Sequence, residues 1–192
     1  MTARRLAALL GCLLVVVFGS RAAAQNLGLE KTDKGFKHPA SGTEFRVPDK
    51  WQVLPPKPLP NGVGLGINYP DQRIAVTVYW VQLDMTLLSE YIRVKPDGPT
   101  KTFGREHEAL KRLYGADKVG KPEELNLAGR TVYRIQVTDG PDKDGAMAGA
   151  LYVWEAGPND RDRWLIKLRA SYPKKDQAEH AKTVEGLVKN FK

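Results

Sequence analysis

One stretch constrains the fold more than any other: between Arg161 and Phe191 a two-residue period gives way, across Tyr172-Pro173, to a period of three and four. In the first part Trp164, Ile166, Leu168, Ala170 and Tyr172 alternate with Arg163, Lys167 and Arg169, with Leu165 among the charged set. That is a strand with one apolar face. In the second part Ala178, Ala181, Val184, Leu187, Val188 and Phe191 line one stripe of a helix, while Lys174, Lys175, Lys182 and Lys189 lie off it. A strand that runs into such a helix buries its apolar side only against more sheet. The chain therefore reads as α+β, closed by a C-terminal helix.

The upstream sequence supplies that sheet in short alternating runs. Phe36 to Pro39 and Thr43 to Val47 flank Ala40-Ser41-Gly42, whose small turn formers suit a hairpin. Trp51 and Val53 begin another extended piece. The run Pro55-Pro56-Lys57-Pro58-Leu59-Pro60-Asn61-Gly62 ends it as a loop, because proline donates no ladder hydrogen bond. Val63, Leu65, Ile67 and Tyr69 alternate with Gly64, Gly66 and Asn68, giving a strand with one nearly bare face. Arg73 to Gln82 carries apolar residues on both faces and reads as central. Asp84 is placed to cap a helix bearing Leu87, Leu88, Tyr91 and Ile92, which Pro96-Asp97-Gly98-Pro99 terminates. A second helix runs from Arg105 to Tyr114 and stops at Gly115. Leu125 and Leu127 form a short strand before Ala128-Gly129. The runs containing Arg130 to Val137, Met147 to Glu155 and Arg163 to Tyr172 then make an antiparallel meander.

The chain opens with Arg4 and Arg5, an apolar run from Leu6 to Phe18, and Ala22-Ala23-Ala24 before Gln25. This is the plan of a secretory signal peptide over residues 1–24. Leu9-Leu10-Gly11-Cys12 has the outline of a lipoprotein cleavage box, but the apolar run continues to Phe18, which argues against lipid anchoring at Cys12. The run is shorter than the roughly 20 residues a spanning helix needs, so no transmembrane span is expected. Residues 25–34 are polar and aperiodic and read as a flexible tether, leaving 35–192 as one domain. Export would place the protein in the periplasm or outside the cell. Cys12, the single cysteine, would leave with the leader, and with it any disulfide, thiolate metal site or cysteine nucleophile. Loss of Arg4, Arg5 and Arg21 lowers the formal charge of +8 but leaves a basic surface, which favours anionic partners.

Two groups of residues carry a resemblance. Phe36-x-His38-Pro39-x-x-Gly42-x-x-Phe45-x-Val47-Pro48-x-x-Trp51, together with Tyr172-Pro173 and a helix ending Leu187-Val188-x-x-Phe191, resembles the PsbP-like fold of extrinsic photosystem II subunits and DcrB-like envelope proteins. The likeness covers about Gly35 to Lys192. It implies an antiparallel β-sheet sandwiched between helices, an α/β/α arrangement, and a non-catalytic accessory or binding protein that attaches to a larger assembly. The matching positions are turn and core residues, so they speak for fold rather than activity.

Catalytic and metal patterns fail on spacing. His107-Glu108 lacks a second histidine one turn on, since Lys111 stands there, and a half-buried histidine with one hydrogen bond is the simpler role. Asp176 and His180 are one turn apart without a visible third ligand, and lysines surround them. Ser171-x-x-Lys174 lacks the companion motifs of penicillin-recognising enzymes, and capping suits Ser171 better. Ser41 has Pro39 where a nucleophile elbow needs glycine. Gly62-x-Gly64-x-Gly66 precedes no helix and is strand geometry. Asp142 to Gly145 is only part of a calcium loop and reads as a solvated hairpin tip. Pro55-x-x-Pro58 reads as a rigid spacer. No cofactor is expected.

One binding feature remains. Arg130 and Arg134 from one strand, with Arg163, Lys167 and Arg169 from another, are expected to share a sheet face opposite Tyr133, Ile135, Trp164 and Ile166, depending on the register of the strand between. Aromatics among arginines suit an anionic glycan, lipid headgroup or acidic protein. The sequence thus points to an exported, non-catalytic accessory or binding protein of the cell envelope with an anionic or protein partner and no nucleic acid. The alternative is a small-ligand or lipid carrier with a pocket between helix and sheet.

Overall fold

A computed structural model describes residues 28–83, 104–140, 147–158 and 162–192. In chain order the strands are β1 (Glu30–Thr32), β2 (Gly35–His38), β3 (Thr43–Arg46), β4 (Gln52–Val53), β5 (Lys57–Leu59), β6 (Gly62–Tyr69) and β7 (Ile74–Gln82). Helix α1 (Gly104–Tyr114) follows, then β8 (Glu123–Leu127), β9 (Arg130–Gly140), β10 (Met147–Ala156), β11 (Trp164–Pro173) and helix α2 (Gln177–Lys189). The expected signal peptide, the helix after Asp84 and the Asp142–Gly145 tip lie outside the described residues.

β11 sits in the middle of a large sheet. Its neighbours are β7, matched from Trp164↔Gln82 to Ser171↔Ala75, and β10, matched from Ala156↔Trp164 to Met147↔Pro173. The order is β4-β6-β7-β11-β10-β9-β8, with β5 also on β6, and every pairing is antiparallel. The expected meander of β9, β10 and β11 is present, and β8 reaches β9 through a turn in which Ala128 and Gly129 have φ of 53° and 77°. Two consecutive left-handed residues match the twist of a tight hairpin.

One face of this sheet carries the larger core. Ile67, Val76, Trp80, Ile166, Leu168 and Tyr152 are buried there beneath Ala181, Val184, Leu187 and Val188 of α2. Ala178 is exposed, and Phe191 lies beyond the helix end, so the helical stripe is narrower than the sequence suggested. The other face holds a second cluster in which Leu110 of α1 meets Ile135, Val137, Leu151, Val153 and Leu165. Gly115, with φ of 100°, ends α1 as expected.

The N-terminal hairpin forms a separate sheet, β1-β2-β3. It joins the larger core through Leu29, Phe36 and Phe45. The chain end completes it: the N–H and C=O of Glu44 pair with those of Lys192 at 3.0 and 2.8 Å, and the Arg46 N–H donates to the Asn190 carbonyl at 3.2 Å. Between these bonds Phe191 stacks on Phe45 at 4.5 Å and meets Trp154 edge-on at 4.9 Å.

Two sequence readings are corrected. Residues 28–34 are not a tether: Leu29 is 1% exposed and Glu30–Thr32 pairs with Gly35–Lys37. A strand with exposed side chains has no alternation to announce it, because pairing alone orders its backbone. The proline-rich loop likewise contains β5, with Pro58 opposite Val63. An edge strand tolerates a residue without an N–H on its solvent side.

Because Phe191 fills a site shared by both sheets, Phe191→Ala should lower the unfolding free energy by about 3–5 kcal/mol in urea titrations. A loss within about 0.5 kcal/mol, the size of a surface change, would show that the C-terminal strand does not hold the sheets together.

Candidate functional site

The five expected cations do not share a face. Tyr152 is opposite both Arg134 and Leu168, whereas Leu151 is opposite both Ile135 and Arg169. Directly opposed residues point to the same side of a sheet, so Arg130 and Arg134 lie with Ile166 and Leu168 on the α2 side. Lys167 and Arg169 lie on the α1 side. The register of β10, which the sequence left open, decides this.

Most of the five are also engaged within the chain. Arg134 bridges Glu123 at 2.5 Å and Glu185 of α2 at 2.6 Å. Arg130 donates to the Phe191 carbonyl, with its guanidinium 6.0 Å from the Trp154 ring centre, and burial lowers its pKa. Arg163 pairs with Glu155, and Lys167 with Glu106 at the start of α1. Arg169 differs. Its guanidinium donates to the Tyr114 hydroxyl and sits 5.6 Å from that ring's centre, and among the described residues it meets no carboxylate.

Arg169 stands at the rim of a cleft between α1 and the sheet. Val137, Gly149 and Ser171 are directly opposed across β9, β10 and β11, and Ile135, Leu151 and Arg169 form the adjacent row. Leu110 and Tyr114, one turn apart on α1, close the cleft from above, and Met147 flanks it. The volume is about 150 Å³. Leu110, Val137 and Leu151 are buried walls, while Tyr114, Ser171 and Arg169 bring a phenol, a hydroxyl and a guanidinium to the opening. The depression exists because its middle floor position is glycine. A Cβ at Gly149 would lie 2.7 Å from the Ala170 carbonyl oxygen, so the close approach of β10 and β11 excludes a side chain there. Ser171 is a strand residue facing this cleft rather than a helix cap, since α2 begins at Gln177.

A second constellation, missed from the sequence, is enclosed. The Ser41 backbone N–H donates to His38 Nδ1 at 3.2 Å, which leaves the proton of the neutral ring on Nε2. The Ser41 hydroxyl lies 2.9 Å from the same nitrogen and 2.7 Å from the Thr43 hydroxyl, which accepts from Trp80 Nε1 at 2.9 Å. Trp80 stacks on the ring at 5.9 Å and Trp164 meets it edge-on at 4.3 Å. The spacing of a serine and a histidine suits nucleophile and base, but exposures of 3% for Ser41 and 2% for His38 deny a substrate access. The network holds the β2–β3 turn instead. The signal was a hydroxyl three residues after His38, across Pro39.

The other histidines are accounted for locally. His107 Nε2 donates to the Gly120 carbonyl at 3.0 Å, half-buried as the sequence suggested, and His180 Nδ1 donates to the Pro173 carbonyl at 3.2 Å. Among the described residues no group of three or more His, Cys, Asp or Glu is placed to hold a metal, and no helix is long and apolar enough to cross a membrane. On the α2 side the hydroxyls of Tyr152 and Tyr172 and Trp154 Nε1 are buried with no hydrogen-bond partner among the described residues. Burial raises the pKa of both tyrosines, with the Arg134 guanidinium opposing the rise and the Glu185 carboxylate adding to it. No family model matches this chain, and no curated protein matches its sequence.

Burial lowers the His38 pKa from 6.5 to about 4. The unfolded chain therefore binds more protons in that window, and stability is full above pH 6.5 and falls as pH drops towards 4. The loss should be on the order of 3 kcal/mol. Denaturant titrations at about pH 7.5 and about pH 4.5 should show this difference shrinking by at least about 2 kcal/mol in His38→Asn, which keeps an acceptor for the Ser41 N–H. An unchanged difference would assign the pH dependence to other groups.

Proposed function

We propose that this chain is an exported, non-catalytic binding protein of the cell envelope that holds a small ligand in the cleft between α1 and the sheet. One observation carries the reading: a cavity of about 150 Å³ has buried apolar walls and a rim of Tyr114, Ser171 and Arg169. Apolar walls with a few convergent polar groups are the common design of small-molecule sites. The leader pattern of residues 1–24 supports export. The α/β/α sandwich of the PsbP-like kind belongs to the same proposal. It is supported by α1 and α2 meeting apolar clusters on opposite faces of the sheet, and by Phe36, His38, Phe45, Tyr172 and Phe191 being buried.

The rival reading, a basic surface that docks an anionic or protein partner, loses support because Arg130, Arg134, Arg163 and Lys167 are occupied within the chain. Hydrolysis loses support because Ser41 is enclosed and the bases that follow Ser171 in sequence, Lys174, Lys175 and Asp176, are exposed and lie beyond the end of β11.

A panel of small apolar fragments of negative, neutral and positive charge, followed by backbone amide NMR shifts, tests the cleft. Perturbations should centre on residues 110–114, 147–151 and 169–171 and disappear in Ser171→Trp, which fills the opening. If no fragment of any charge perturbs these residues, the accessory reading replaces this one, and crosslinking in cells becomes the informative experiment.

A further inference from the structure

We infer that the cleft takes a small carboxylate bearing a single ring or a short branched chain, with Arg169 as the anion anchor; this rests on the cleft reading above. Charge is the first argument. Arg134, Arg163 and Lys167 each meet a carboxylate of the same chain, so their charge is answered. Arg169 is exposed and is held by a phenol, which takes one donor and returns no negative charge. The remaining donors form the fork that binds a carboxylate through two parallel bonds. Contact with the Tyr114 ring at 5.6 Å sets the orientation of that fork before a ligand arrives.

The second argument is position. Arg169 and Ser171 point to the same side of β11, so the serine hydroxyl supplies another donor on the same rim. Immediately inside lie Leu110, Val137 and Leu151, all buried. An inorganic anion would satisfy Arg169 and leave these walls without a partner. An uncharged hydrocarbon would fill them and leave the guanidinium unanswered, while an amine would be repelled at the rim.

Size is the third argument. About 150 Å³ is close to the engineered apolar cavity of about 150 Å³ that accepts benzene. A long acyl chain or a fused ring system exceeds it, and the floor cannot deepen because at Gly149 it is already bare backbone, paired with Ser171 and Val137 in the sheet.

Benzoate is the probe, with benzyl alcohol, benzylamine and acetate as comparators, in titrations of the purified protein followed by amide NMR at low and high salt. Benzoate should bind through residues 110–114, 147–151 and 169–171 at least about tenfold more tightly than each comparator, since benzyl alcohol and benzylamine lose the hydrogen bonds to a charged partner and acetate loses the burial of the ring. Arg169→Gln should weaken benzoate about tenfold or more and leave benzyl alcohol unchanged. Arg169→Lys should recover part of the loss, because it keeps the charge without the fork. Salt should weaken the two anions, benzoate and acetate, and leave benzyl alcohol unchanged. Equal binding of benzoate and benzyl alcohol, or unchanged benzoate affinity in Arg169→Gln, would overturn the anion anchor while the cleft stands. Benzoate shifts confined to other residues would overturn it as well. Silence from every fragment would remove the cleft reading itself.

Discussion

The structure depends on the double pairing of β11. A strand hydrogen-bonded along both edges has no freedom to slide, because a shift of one residue would turn Trp164, Ile166 and Leu168 away from the core. Everything placed on β11 inherits that precision. Pro173 ends the strand, the chain turns at Asp176 in a left-handed conformation, and α2 falls back on the face where β11 carries its large side chains. The opposite face receives Leu165, Lys167, Arg169 and Ser171. The apolar seat of α2 and the polar rim of the cleft are therefore two readings of one alternation.

Buried polar groups are handled in two ways. Around His38, donors and acceptors meet from Trp80 through Thr43 and Ser41 to the ring, and the hairpin turn is held in one conformation. A satisfied network of this kind specifies geometry as well as stability. Beneath α2, the hydroxyls of Tyr152 and Tyr172 are buried without a hydrogen-bond partner among the described residues, and they feel the charges of the Arg134–Glu185 pair. Each such orphan costs on the order of 1–3 kcal/mol relative to hydration. The apolar area of the rings offsets that cost. The α2 interface is therefore held by shape and apolar area more than by polar contacts.

What could be read from the sequence follows from what is local. The hairpin around Ser41, the C-terminal stop of α1 at Gly115, the Ala128-Gly129 turn and the β9–β11 meander all follow from side-chain period and turn chemistry within a few residues. Pairings made at a distance did not announce themselves. β1 is ordered by β2, β5 is a strand only because β6 lies beside it, and Phe191 looks helical until Phe45 claims it. The candidate site failed for the same reason. Arginines on β9 and β11 are two strands apart, so their faces depend on β10, whose small and aromatic residues on one side and apolar residues on the other fit either orientation. Arg169 was singled out from its charge, but the cleft beside it required knowing that Gly149 lies between Val137 and Ser171.

The pairing of Phe45 with Phe191 has a consequence in time. These residues are separated by almost the whole described chain, and the small sheet on which Leu29, Phe36 and Phe45 depend has its last backbone partner in residues 190–192. During synthesis the hairpin of β2 and β3 emerges early and waits, with Phe45 uncovered, while every later strand is made. Closure of so long a loop is entropically slow, so the first sheet to leave the ribosome is among the last to reach its final state. For the intervening period the apolar side of that hairpin is a surface that a chaperone must shield or another chain can bind.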